Sequence, residues 1–224
     1  MKKKVFAALL ATVMVGTMLA GCGTPGSKSS NDSSSDGKVF RYSTNTEPTT
    51  LDPTKGNCIP DNEIQHAVTE SLVRNTGGEI TPGVAESWEV SDDGLTYTFH
   101  LNPDAKWSDG EQIKAQDFVY SWQRLMNPDT AAPYAFIGEY LKNGYAIEKD
   151  QMDPSELGVV AQDDTTLVVT LEHPTAYFLS LIGSSAQYAP LRQDIVEEYG
   201  KDFAADAEKN VYSGPYVLKS SQNQ

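Results

Sequence analysis

Two stretches far apart in the chain carry the same pattern, and they constrain the fold more than any other feature. Residues 86–101, ESWEVSDDGLTYTFHL, alternate apolar and polar side chains on either side of Asp92-Asp93-Gly94. Residues 157–172, LGVVAQDDTTLVVTLE, do the same around Asp163-Asp164. A period of two puts successive side chains on opposite faces of a strand, and Asp-Gly supplies a tight turn between antiparallel arms. Each stretch therefore reads as a hairpin. Between them, residues 115–126 change to a helical period, with Phe118, Val119, Trp122, Leu125 and Met126 on one face. Asn127-Pro128 stops that helix, because proline has no N–H to continue the ladder.

The other elements are shorter. VFRYST, residues 39–44, alternates and is rich in β-formers, which predicts a strand. Residues 45–62 hold Pro48, Pro53 and Pro60, which argue for kinked, extended backbone and against a helix. Asp61-Asn62 then read as the N-cap of a helix over 63–74, with Ile64, Ala67, Val68, Ser71 and Leu72 on its inner face and Gly77-Gly78 ending it. A further helix is expected over 191–199, before Gly200. GPYVLKS, residues 214–220, reads as a strand whose apolar residues need a sheet partner, and the expectation is that the sequence is a fragment of a longer protein.

The first 22 residues read as a targeting segment. Lys2-Lys3-Lys4 precede an uncharged run, Val5 to Ala20, too short for the roughly 20 residues of a spanning helix. Leu19-Ala20-Gly21-Cys22 follows and resembles a bacterial lipobox, in which Cys22 takes the lipid and becomes the new N-terminus. Residues 23–37, GTPGSKSSNDSSSDG, offer nothing to bury and are expected to be a disordered tether. With 17 basic residues against 31 acidic, the net charge is −14, and removal of the leader lysines makes it more negative. Such a chain repels nucleic acid and anionic headgroups.

Catalytic constellations are sparse. Cys58, in TKGNCIPDN, is the one cysteine left when Cys22 is lipidated, so a disulfide is disfavoured. As a nucleophile it needs a base, and His66 is the candidate. His66 and Glu70 are four apart, a spacing that could hold a metal, but no further ligand has a matching position. His100 and His173 have no neighbouring nucleophile, and NTGGE lacks the lysine of a phosphate loop. Trp88, Trp107 and Trp122 fall at core positions. Tyr134, just beyond a helix end, could line a cleft or be a surface aromatic. No enzyme activity and no cofactor is expected.

The strings EPTTLDP, PGVAESWEVSDDGLTYTFHL, AKWSDGEQIKAQDFVYSWQR, PDTAAPYAF, LGVVAQDDTTLVVTLE, YFLSL and SGPYVLK occur in this order over residues 40–220. Together they resemble the family 5 extracellular solute-binding proteins of ABC transporters, and among them the oligopeptide-binding members. The resemblance implies an α/β, periplasmic-binding-protein-like (type II) fold, present here in part. Residues 38–70 and 192–224 would be portions of the first lobe, 71–191 an inserted α+β subdomain, and the second lobe would be absent. It implies a lipid-anchored, monomeric receptor on the extracytoplasmic face, as on a Gram-positive surface, that hands oligopeptides to permease subunits. Another solute is an alternative: a signalling peptide, a dipeptide, a nickel complex or an oligosaccharide. An exported hydrolase using Cys58 and His66 is a second. In relatives, the segment matching Asn57-Cys58-Ile59 pairs its backbone with the peptide, the tyrosine matching Tyr134 faces the cleft, and Gly183-Ser184-Ser185 lies near the ligand. The chain departs from the family at Asn57, where an acidic residue is common, at Lys114, where Thr or Ser usually caps the helix, and in YSGPY.

Overall fold

The computed structural model describes residues 39–220 of the 224. The leader, Cys22 and the tether expected over 23–37 lie outside the described residues. The chain divides into two units, Met1–Tyr42 and Ser43–Gln224. In the described part of the first, the rings of Phe40 and Tyr42 stack with centroids 6.4 Å apart. Everything below concerns the second.

Helix α1 runs from Ile59 to Val68. It starts before the expected position because Pro60 lies in its first turn, where no intrahelical N–H is needed and the fixed φ suits the helix. It also ends sooner: Leu72 lies beyond it, and Val73 opens strand β1, Val73–Thr76. That strand pairs with β2, Glu79–Pro82, in register Thr76↔Glu79. Gly77 and Gly78 are thus not a helix terminator. They are the two central residues of a hairpin turn, with φ of 63° and 95°, a conformation glycine adopts without a Cβ penalty.

Both hairpins, over 86–101 and 157–172, form as expected and join in one antiparallel sheet. Strands β3 (Ala85–Val90), β4 (Thr96–Leu101), β5 (Val159–Ala161) and β6 (Thr166–Thr170) take the order β3-β4-β6-β5. The alternation decides which side is covered. Tyr97, Phe99 and Leu101 are buried, as are Leu167 and Val169, while Thr98 and Val168 stay partly open. Their partner is helix α2, Ala115–Met126, which buries Phe118, Val119, Trp122, Leu125 and Met126 in the same cluster. Lys114 precedes this helix without a hydroxyl to cap it. Asp117 does the capping from within the first turn, its carboxylate accepting the Lys114 N–H at 2.9 Å and the Trp107 indole N–H at 3.0 Å.

Helix α2 also fixes the irregular stretch that follows the short helices α3, Gly144–Glu148, and α4, Phe178–Ser184. The Ser121 hydroxyl donates to the Ala189 carbonyl at 2.7 Å and the Trp122 indole to the Tyr188 carbonyl at 2.9 Å. Tyr188 is fully buried, and its hydroxyl donates to the Ile137 carbonyl at 2.7 Å. A second, smaller cluster holds Leu51, Leu191, Val196, Phe203 and Ala204, with Ile64, Tyr120 and Leu218 against it. Helix α5, Gln193–Tyr199, contributes here and begins two residues after the expected start.

Two expected strands are not formed. Residues 39–44 and 214–220 belong to no sheet among the described residues. A strand needs an opposing ladder as well as an alternating sequence, and both described sheets draw their strands from 73–170. Residues 213–214 pack instead on the end of α1: the Gly214 N–H donates to the Val68 carbonyl at 2.9 Å, and the Ser213 hydroxyl accepts the Glu70 N–H at 3.0 Å. A Cβ on Gly214 would stand 2.5 Å from the Val68 carbonyl carbon and 2.6 Å from the Thr69 nitrogen, and backbone cannot yield cheaply. Gly214→Ala should therefore cost about 2 kcal/mol, or roughly 4–8 °C in Tm, by thermal and urea unfolding. Unchanged stability would contradict this close approach.

Candidate functional site

The segment before α1 has no regular structure, yet buried side chains hold nearly every turn of it. Asp61, in the first turn of α1, is fully buried. Its carboxylate accepts the Thr49 N–H at 2.6 Å, the Thr49 hydroxyl at 2.8 Å, the Thr50 N–H at 3.3 Å and the Asn57 N–H at 3.2 Å. It thereby ties both ends of the segment to the positive end of the helix dipole. Burial alone pushes this carboxyl's pKa up. Hydrogen bonds from the Thr49 hydroxyl, the Cys58 thiol and the Thr49 and Asn57 amides outweigh burial and hold it below the ordinary value.

Three further side chains brace the middle. Gln65, one turn along α1 and fully buried, donates to the Asp52 carbonyl at 3.1 Å and the Thr50 carbonyl at 3.4 Å. The Asp52 carboxylate receives both terminal nitrogens of Arg124 from α2, at 3.0 and 2.7 Å, in a bidentate, nearly buried ion pair. Gln187, 6% exposed, donates to the Gly56 carbonyl at 3.1 Å.

What remains unheld is narrow. Of the segment expected to present its main chain, the Asn57 N–H is taken by Asp61, and the Cys58 carbonyl accepts the Asn62 N–H at 3.1 Å as the first bond of α1. The resemblance implies that this segment offers its backbone to a peptide, but the start of the helix uses two of these groups. The Asn57 carbonyl and the Cys58 N–H, which form one peptide group, take no partner among the described residues. Cys58 is in extended conformation there, with φ −123° and ψ 165°, and the Ile59 side chain beside it is 74% exposed.

The other expected positions are spread out. Tyr134 is half-buried against the large core, its ring 5.5 Å from that of exposed Phe136. Ser184 is exposed at the end of α4, where its hydroxyl accepts the Asn75 side-chain amide at 2.9 Å. Its neighbours Gly183 and Ser185 line a depression of about 250 Å3 with His66, Glu70, Arg74 and Asn75. A larger one, about 730 Å3, lies between Pro48–Asp52, Arg124 and residues 200–208. Neither Asn57, Cys58, Ile59 nor Tyr134 lines either depression. The structure links 56–57 to the Ser184 side through Gln187, and does not gather all five expected residues into one cavity.

The alternative chemistry fares differently. Cys58 and His66 sit at the start of α1 and two turns along it, about 12 Å apart along the axis at 1.5 Å per residue, out of hydrogen-bond reach. Burial lowers the His66 pKa and favours its neutral form. Both Glu70 oxygens accept from Arg74, Oε1 at 3.0 Å and Oε2 at 2.6 Å, so Glu70 does not stand free beside His66 as a ligand. Sequence reasoning gave Asp61 the role of a cap and missed its wider one. It also missed Gln65, Gln187 and the Asp52–Arg124 pair, for which no local pattern exists.

Comparison with known proteins places these features in context. The model of bacterial extracellular solute-binding proteins, family 5 (middle), matches residues 79–224. A dipeptide-binding protein of Lactococcus lactis subsp. cremoris is 35% identical over 216 residues, 95% of this chain and 38% of the relative. The periplasmic oligopeptide-binding protein OppA of Haemophilus influenzae is 41% identical over 175 residues, 77% of this chain and 32% of the relative. Among solved structures, the substrate-binding domain of an oligopeptide ABC transporter from Bacillus anthracis superposes with a TM-score of 0.79 at 40% identity, covering 82% of this chain and 36% of that one. Listeria monocytogenes OppA bound to peptide gives 0.74 at 37% identity, covering 76% and 34%. The chain thus spans about a third of the length of these relatives, and over that third it has their periplasmic-binding-protein-like α/β fold.

The Asp61 network has a testable sign. Its folded pKa lies below the ordinary carboxylate value of about 3.9, so its contribution to stability is complete above that value and is lost as pH falls through the folded pKa. Asp61→Asn should cost about 2–3 kcal/mol at pH 7 by urea unfolding. The gap to wild type should close as pH falls below about 4. A gap that does not change with pH would contradict a charged Asp61 holding the segment.

Proposed function

Because this chain belongs to the bacterial extracellular solute-binding proteins of family 5, we propose that it captures oligopeptides outside the cytoplasm and passes them to the permease of an ABC transporter. One observation carries this reading. The Asn57 carbonyl and the Cys58 N–H form a peptide group in extended conformation with no partner among the described residues, set in a segment otherwise fixed by buried side chains. A guest peptide can lie against such a group as a strand, its carbonyl accepting from the Cys58 N–H, while the Asn57 carbonyl of the same trans peptide faces the opposite way. Contacts of this type read the guest's main chain and leave its side chains open. Ile59 stands ready to pack on a guest side chain, and Tyr134 and Ser184 would meet the guest only beyond this segment. The two separate hydrophobic clusters support dividing the folded part into first-lobe portions, 38–70 and 192–224, and an inserted α+β subdomain, 71–191, with α2 between the clusters. The lobe opposite comes from the rest of a full-length family member, closing over the ligand about a hinge. Lipid on Cys22 and the serine-rich tether keep the monomeric receptor beside its permease. Nothing in this reading requires a covalent step.

Calorimetry of the full-length protein with tri-, tetra- and penta-alanine tests it. Saturable binding near micromolar Kd is expected. N-methylation at the one peptide position that pairs with residues 57–58 should weaken binding about tenfold, the effect of losing roughly 1.4 kcal/mol. Absence of saturable binding, or an affinity indifferent to N-methylation at every position, would refute strand addition.

A further inference from the structure

Both polar atoms of the peptide group next to the proposed contact are held by buried side chains from opposite ends of the fold. The Gly56 carbonyl accepts from Gln187 Nε2 at 3.1 Å, and the Asn57 N–H donates to Asp61 at 3.2 Å. These two atoms belong to a single peptide plane, so the plane cannot turn without breaking one bond and leaving a buried polar group unpaired. The backbone has no slack beneath it: a Cβ on Gly56 would come within 2.4 Å of the Gln65 amide, which itself braces the Asp52 carbonyl. The following peptide group, Asn57 carbonyl and Cys58 N–H, takes its direction from this clamp on one side and from the first turn of α1 on the other.

We propose that Gln187 is a positioning residue for ligand capture, which aims the Asn57–Cys58 peptide group by clamping the one before it, a role that rests on the peptide-binding reading above. Asp61 would hold the segment's ends without it. Among the described residues only Gln187, three residues beyond Ser184 in a stretch anchored to α2 by Ser121 and Trp122, fixes the carbonyl side of the plane relative to the large core. Preorganisation of this kind sets affinity, because a loop that must be ordered by its guest binds it more weakly.

The test compares two variants of the full-length protein for tri-, tetra- and penta-alanine binding by calorimetry, alongside thermal unfolding. Gln187→Met keeps the volume and removes the donor. Tyr188→Phe removes the neighbouring buried hydrogen bond to the Ile137 carbonyl and is the control for stability alone. Gln187→Met should raise Kd about tenfold, whereas Tyr188→Phe should lower Tm at least as much and leave Kd within about twofold. If Gln187→Met does not fold, Gln187→Glu replaces it, since its carboxylate repels the Gly56 carbonyl and should weaken binding equally. Wild-type binding with an unchanged Kd in the Gln187 variant overturns this proposal alone, as does affinity lost in step with Tm in both variants. A wild-type protein that binds none of the peptides overturns the reading beneath it as well.

Discussion

A single buried carboxylate holds together what no secondary structure holds. Asp61 accepts hydrogen bonds from residues 49, 50 and 57 and anchors them to the start of α1. The intervening segment makes an almost complete circuit with no strand or helix, so its polar backbone must find side chains. An isolated buried anion is costly, whereas one with several donors and a helix N-terminus is not. The peptide group at Asn57–Cys58 stays unpaired among the described residues while its neighbours are satisfied elsewhere. Helix capping, loop closure and the proposed binding surface are thus aspects of one arrangement, with Gln65, Gln187 and the Arg124–Asp52 pair distributing it over both hydrophobic clusters.

The parts of the fold that were legible in the sequence are those whose pattern is local. Strands β3, β4, β5 and β6 announce themselves by alternation around turn residues, and α2 by its apolar face, and both periodicities survive because each element buries only one side. α1 starts earlier than its prolines suggest, because proline breaks a helix interior but favours the first turn. The β1–β2 hairpin was missed because its arms are four residues each and its turn is Gly77-Gly78, which ends a helix as readily as it joins strands. Residues 39–44 and 214–220 have strand composition and no ladder among the described residues, since a pairing partner is a property of the fold and not of the segment.

Much less of the site was legible. That the backbone is kinked and extended before Cys58 followed from its prolines, and the family resemblance pointed to Asn57, Cys58 and Ile59. Which backbone atoms stay unpaired there depends on contacts across great sequence distances, such as Gln187 to Gly56 and Arg124 to Asp52. A lone glutamine or aspartate has no spacing to betray it. The thiol that first draws attention at Cys58 is secondary to the amide beside it.

Residue-resolved amide hydrogen exchange on the full-length protein, with and without bound peptide, tests this account most directly. Asn57 N–H, already donated to Asp61, should exchange slowly in both states, while Cys58 N–H should exchange rapidly when free and become protected when peptide binds. Rapid exchange at Asn57 in the free protein, or a Cys58 amide that peptide does not protect, would contradict it.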